Sequence, residues 1–146
     1  MLNKLKPILF AIALLAAPLS AQKLQVGSCE LKDGGIYTGE LLGGKANGKG
    51  RAVYKNGDTY EGEFVKGFRQ GQGTFTAADG SRYEGSWMKN ERHGKGTFYA
   101  GNNNRYVGLW YRNRKEGHGV MYYYNGDVYD GDWKEDKREG KGTYTF

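Results

Sequence analysis

From Tyr37 onward, large apolar and polar residues alternate in short bursts. Tyr83, Gly85 and Trp87 alternate with Glu84 and Ser86, and Gly94, Gly96 and Phe98 alternate with Lys95 and Thr97. A period of two is the signature of a strand with one face turned to an apolar layer. Between the two bursts runs polar Lys89-Asn90-Glu91-Arg92-His93, which reads as a hairpin connection. Its second residue across the chain is Gly44, Gly67, Asn90, Asn113 or Asp136, the residue types that best tolerate left-handed backbone. A second set of turns is signalled by Asn56-Gly57, Asp79-Gly80 and Asn125-Gly126, with Asn102-Asn103 in the same place once.

The pattern recurs every 23 residues without insertion or deletion. Tyr37, Tyr60, Tyr83, Tyr106 and Tyr129 lead the units. Two residues later come Gly39, Gly62, Gly85, Gly108 and Gly131, and two further on Leu41, Phe64, Trp87, Trp110 and Trp133. A Gly-x-Gly follows in each: Gly48 and Gly50, Gly71 and Gly73, Gly94 and Gly96, Gly117 and Gly119, then Gly140 and Gly142. The units are 37–59, 60–82, 83–105 and 106–128, with a shorter fifth at 129–146. Gly27 and Asp33-Gly34 keep the same register upstream, so 22–36 reads as a half-unit capping strand. Hairpins joined by tight turns must pair with their sequence neighbours. The expected fold is all-β: an elongated single-layer antiparallel meander of about 11 strands, on the order of 50 Å long. Its first strand is expected over Leu24 to Leu31 and its last over Gly140 to Phe146. A single layer has nothing to cover its apolar face, so the rings must bury one another across bare glycine positions. Both glycines of each Gly-x-Gly are expected to share the face of the rings. The other face is expected to carry paired charges, with Glu61, Glu63, Glu84, Asp130 and Asp132 facing Lys49, Lys95 and Lys141.

The 146 residues include 25 Gly but only 2 Pro, which excludes collagen, and 14% aromatics argue against disorder. Met1 to Ala21 reads as a Sec-type signal peptide, with Lys4 and Lys6 before the apolar run Ile8 to Ala17 and cleavage expected between Ala21 and Gln22. Its removal lowers the net charge from +6 to +4. The expected location is periplasmic, envelope-associated or secreted.

Tyr83-Glu-Gly-Ser-Trp followed by Gly94-Lys-Gly-Thr-Phe, in five in-phase copies, resembles the MORN (membrane occupation and recognition nexus) repeat of exported bacterial proteins. The resemblance covers 37–146, and 25–36 as a half unit. It implies an elongated, twisted sheet of hairpins and roles in scaffolding, protein binding, dimerisation or contact with acidic phospholipid. Asn90, Asn103, Asn113 and Met121 depart from its usual residues.

Catalytic chemistry is weakly supported. His93 and His118 occupy different unit positions and lack a metal-ligand spacing, and the carboxylates form repeated columns rather than one site. No catalytic residue, metal or cofactor is expected. Cys29 has three readings: a packing residue equivalent to Ala52, Phe75 and Phe98, a lipid attachment site, or an intermolecular cross-link. Arg69, Arg92, Lys115 and Arg138 form a basic hairpin-tip column, read either as a solvated loop row or as a contact for anionic phospholipid or an acidic protein. The sheet's open edges invite a homodimer or a partner strand. The leading expectation is a non-enzymatic scaffold that binds protein through its aromatic face or its edges. The alternative is a peripheral membrane module. Nucleic acid is not an expected partner.

Overall fold

A computed structural model describes residues 23–146. The expected leader and its cleavage site lie outside the described residues. Eleven strands form one antiparallel sheet in sequence order: β1 (Gln25–Glu30), β2 (Ile36–Leu42), β3 (Lys45–Val53), β4 (Thr59–Val65), β5 (Phe68–Thr76), β6 (Arg82–Met88), β7 (Glu91–Tyr99), β8 (Arg105–Tyr111), β9 (Arg114–Tyr122), β10 (Val128–Lys134) and β11 (Lys137–Thr145). The fold is the single-layer meander that the repeat implies, with no helix among the described residues. The first strand is shorter than expected, and the last begins three residues earlier than its Gly-x-Gly.

Two kinds of turn alternate. Within a unit the connection is only two residues long, such as Lys89 (φ 45°) and Asn90 (φ 70°). Two successive left-handed residues make a type I′ turn, whose twist matches that of the flanking strands. The five-residue connection expected from polarity is therefore wrong, because Glu91, Arg92 and His93 already belong to β7. Between units the loop is longer. The Gly57 amide donates to the Tyr54 carbonyl and the Tyr54 amide to the Asp58 carbonyl, each at 3.0 Å. Gly57 sits at φ 92°, with Asn103 (φ 67°) in its place in the third unit. The Asn-Gly pairs thus close a three-residue loop with a left-handed last residue, rather than a two-residue hairpin.

Each hairpin carries a bulge. Gly62 pairs with Gly73, but Phe64 pairs with Arg69, so Glu63 alone faces residues 70–72. The Glu63 carboxylate accepts from the Gln72 amide and fills the gap. Two extra residues leave the side-chain alternation intact, so Arg69 emerges on the same face as Phe64 and Tyr60. The same shift recurs in the other hairpins.

The core is a ladder of rings on one face. Tyr37, Tyr60, Tyr83, Tyr106 and Phe64 are essentially inaccessible. Tyr60, Tyr83 and Tyr106 are each wedged edge-on between the large ring of their own unit and that of the next, whereas Tyr37 meets Phe64 of the next unit and Tyr129 meets Trp133 of its own. Tyr83 meets Trp87 at 5.2 Å and Trp110 at 5.3 Å, and Tyr106 meets Trp110 at 5.2 Å and Trp133 at 5.4 Å. Edge-to-face pairs at such distances add to area burial alone. Cross-strand glycine pairs make room. A Cβ at Gly96 would collide with the Tyr83 ring, and one at its partner Gly85 would lie 2.5 Å from the Gly96 Cα. Gly119 repeats the arrangement one unit later. It pairs with Gly108 on β8, is buried, and a Cβ on it would strike the Tyr106 ring. In each pair the glycine on the leading strand admits the opposite backbone, and its partner seats a ring. The ring polar atoms are satisfied as well. Tyr83 donates its hydroxyl to the Ser86 carbonyl (2.9 Å), Trp87 Nε1 to the Gly73 carbonyl and Trp133 Nε1 to the Gly119 carbonyl (both 3.1 Å).

The two glycines of a Gly-x-Gly therefore divide the work, where the alternation alone assigned both to the ring face. Gly96 and Gly119 seat rings, but Gly94 and Gly117 lie in the bulge at φ 85° and 78°. A Cβ on Gly94 would meet Ser86 at 3.3 Å, and one on Gly117 would meet Leu109 at 3.2 Å, neither of them a ring of the ladder. The bulge needs left-handed backbone at that position, which glycine adopts without strain.

Candidate functional site: a cation row on the ring face

The bulge decides where the basic column goes. Arg69, Arg92, Lys115 and Arg138 sit in β5, β7, β9 and β11, opposite Phe64, Trp87, Trp110 and Trp133. The sequence reading placed them at hairpin tips, as a solvated row or an anionic-partner contact. They instead lie along the ring face, because two-residue turns draw them into the strands. The Arg69 guanidinium stands 5.0 Å from the Trp87 ring centroid and 5.4 Å from that of Phe75. Arg92 is 4.6 Å from Trp110, the Lys115 ammonium 5.3 Å from Trp133, and Arg138 5.3 Å from Tyr129. Aromatic faces attract such cations, the more so where water is partly excluded.

Two of the heads, Arg69 and Arg92, are anchored to the next hairpin, and Arg69 also to the unit before it. Arg69 donates to the Tyr54 hydroxyl (3.1 Å) and the Asn90 carbonyl (3.2 Å), and Arg92 donates to the Asn113 carbonyl (2.8 Å). The turn residue also reaches back, since Asn90 Oδ1 accepts from the Arg69 amide at 2.8 Å and Asn113 Oδ1 from the Arg92 amide at 2.9 Å. Asp136 does the same for the Lys115 amide at 2.8 Å. Their tolerance of left-handed backbone marked these residues as turn formers in the sequence, which left their role in tying successive units unread. The 23-residue spacing was the available signal.

None of the four cations has a carboxylate within 4.0 Å among the described residues, where the ion pairs are Arg82–Glu84 and His118–Asp130. Burial against the rings pulls the Arg92 and Lys115 pKa values below their ordinary range, with the Asp136 charge opposing it. The same burial pushes the Tyr83 hydroxyl up to about 12. The Arg69 Nε is buried and unpartnered. The polar face is less ion-paired than expected: Glu40 and Glu63 spend their carboxylates on the backbone amides of Lys49 and Gln72.

A groove of about 350 Å³ opens on the ring face between Arg69 and Arg92, lined by Phe75, Ala77, Trp87, Asn90 and Phe98. Its position follows from a break in the repeat. The column that holds Leu31, Tyr54 and Tyr123 holds Ala77 and Ala100 in the middle units, so the rings that would fill the space are missing there. Ring side chains at Tyr54 and Tyr123 pack on the core.

The leading tyrosines, the large rings and the paired glycines, from Tyr37 and Gly39 to Trp133 and Gly142, form the ladder described above. Gly71, Gly94, Gly117 and Gly140 belong to the bulges instead, all at positive φ. Cys29 is a half-buried free thiol opposite Tyr37, in the register position that Phe75 takes against Tyr83. His93 leans on Tyr111, and His118 pairs with Asp130 on the other face. No cluster of three or more His, Cys, Asp or Glu side chains suited to a metal occurs among the described residues. No helix there is long and apolar enough to cross a membrane.

A family model described as MORN repeat matches residues 37–59, 60–82, 83–105, 106–128 and 129–146. No curated protein matches the chain. Among solved structures, the chain is similar to the SAS-4 (dCPAP) TCP domain of Drosophila melanogaster, solved with a proline-rich motif of Ana2 (dSTIL). That match covers 99% of this chain and 98% of the other, at 13% identity and a TM-score of 0.33. A likeness this loose aligns no individual residues.

Proposed function

The chain belongs to the MORN repeat family, and from that premise we propose that it is a non-enzymatic scaffold that binds a protein partner on its ring face, over the groove between Arg69 and Arg92. The observation that carries this reading is the groove at Ala77, where the Tyr column is interrupted and rings and cations without a carboxylate partner line an open space in the middle of the ladder. Concave, largely apolar sites with a few placed polar groups are where proteins take ligands. Repeat arrays present such extended surfaces without needing chemistry of their own. The leader-like residues 1–21 support an exported scaffold.

Contact with an anionic membrane is the second reading, favoured by the same four cations. The folding of Arg69 and Arg92 onto the rings weighs against it, because heads held on a sheet face reach a lipid plane less well than heads at exposed tips. Vesicle flotation separates the two. The scaffold reading expects little recovery of the full chain on vesicles of about 30% phosphatidylserine at physiological salt, where surface attraction is short-ranged. Strong flotation that disappears in the Arg69→Glu/Arg92→Glu/Arg138→Glu variant would instead establish the membrane role.

A further inference from the structure

The spacing of the cation row specifies more than its charge. Each unit adds two strands, so successive cations stand roughly 9.6 Å apart across the sheet, and four of them span about 29 Å. The row runs across the strands rather than along them, because each cation pairs with the large ring of its own unit. Inside the sheet every strand is already paired on both sides, from β2 to β10. A segment lying along the row therefore meets no free backbone groups and cannot join the sheet as a strand. It must be a conformation that needs no backbone partners.

Polyproline II meets that condition, since it makes no internal hydrogen bonds and rises about 3.1 Å per residue with three residues per turn. Every third side chain points the same way, with a repeat of about 9.3 Å. Over three intervals the mismatch with the row is about 1 Å, well within the reach of an Arg or Lys side chain. A β-strand fails because residues three apart point to opposite faces. An α-helix with one contact every seven residues repeats at about 10.5 Å and drifts by about 3 Å over the same row. Polyproline II segments also characteristically dock on aromatic-lined surfaces, and the groove walls are Phe75, Trp87 and Phe98.

The charges name the side chain. The four cations have no carboxylate partner among the described residues, and two are fixed by hydrogen bonds to the following turn. An Arg already oriented on a ring loses little freedom when it takes a carboxylate, and partial exclusion of water strengthens the pair. We infer that the ring face receives an extended acidic segment in the polyproline II conformation, with Asp or Glu at every third residue. Each acid would meet one of Arg69, Arg92, Lys115 and Arg138 in turn. This inference rests on the scaffold reading above and adds the class of its partner.

The test uses a fluorescent peptide of four Glu-Pro-Pro repeats, titrated by anisotropy with the full chain at low salt. The comparison peptides are one of equal composition with its Glu residues contiguous, a Lys-Pro-Pro peptide, and an Ala-rich helix with Glu every seventh residue. The periodic peptide is expected to bind at least tenfold tighter than each of them, with affinity falling as salt rises. Arg92→Gln is expected to weaken it about fivefold. Arg138→Gln, at an exposed position on the last strand, should weaken it severalfold without lowering the melting temperature. Equal affinity for the periodic and contiguous peptides, or preference for the helix, overturns the inference. Panning a random peptide library on the same chain distinguishes the two levels. Peptides that need Arg92 but lack acids at every third position would preserve the scaffold and overturn the spacing. Enrichment of no peptide, with binding only to phosphatidylserine vesicles, would overturn both.

Discussion

At Gly96 the absence of one carbon decides whether a ring can be buried. A Cβ there would occupy the seat of Tyr83, whereas a Cβ at Gly80 would meet nothing within 4 Å and suffer only from φ 90°. Gly96→Ala should therefore cost about 3 kcal/mol by overpacking, and Gly80→Ala about 1–2 kcal/mol of left-handed strain. Urea unfolding of the two variants checks the order, and equal losses would contradict the seating of the ring. The seated tyrosines also set an upper pH limit. Burial pushes Tyr37, Tyr54 and Tyr83 up to about 12, and Tyr60 and Tyr106 further still. An unfolded Tyr ionises near 10, so the unfolded state loses its protons first as pH rises. Stability from this source is complete below about pH 10 and falls as pH climbs through 12. Alkaline titration should show tyrosinate absorbance rising together with loss of the β circular dichroism signal.

The hairpin is where local chemistry and the next repeat meet. Asn90 both supplies the second left-handed residue of its turn and accepts the Arg69 amide on the neighbouring hairpin. Asn90→Gly keeps the turn and should lose about 1 kcal/mol with that hydrogen bond. Asn90→Ala should lose about 1–2 kcal/mol more, for the φ that Ala resists. If both variants melt together, the turn's conformation contributes nothing beyond the tie. Turn identity was readable in the sequence here, because left-handed φ selects Gly, Asn and Asp. The length of the turn was not. Lys89 to His93 is uniformly polar, and polarity does not distinguish a loop residue from a strand residue that lies over a ring. The same ambiguity put Arg92 at a tip when it belongs to a strand.

For the whole molecule, every strand is hydrogen-bonded only to its sequence neighbours, and the rings reach no further than the next unit. Stability in such arrays is approximately a sum of unit and interface contributions. Ending the chain after Val128 removes Trp133 and uncovers one side of Tyr106, but leaves the rest of the ladder joined. The shortened chain should keep its β signal per residue, melt at a lower temperature and show a smaller urea m-value, in proportion to the surface it still buries. Complete unfolding would instead mean that the sheet folds as one indivisible unit.

The 23-residue period by itself determined the hairpins, the neighbour-to-neighbour order and the alternation of rings with glycines. All of these follow from local alternation, turn chemistry and short connections, which act over a few residues. The bulges opposite Glu40, Glu63 and their equivalents were decided only in the folded sheet, since they depend on how two strands align. Strand alignment also separates Gly117, in a bulge, from Gly119, under a ring, though the two look equivalent along the chain. Those bulges, together with the two-residue turns, carry the cations from the tips onto the rings. The groove needed both levels: Ala77 stands in the sequence, but its consequence exists only where a missing ring leaves space beside Arg92, next to an Arg69 that Tyr54 still covers.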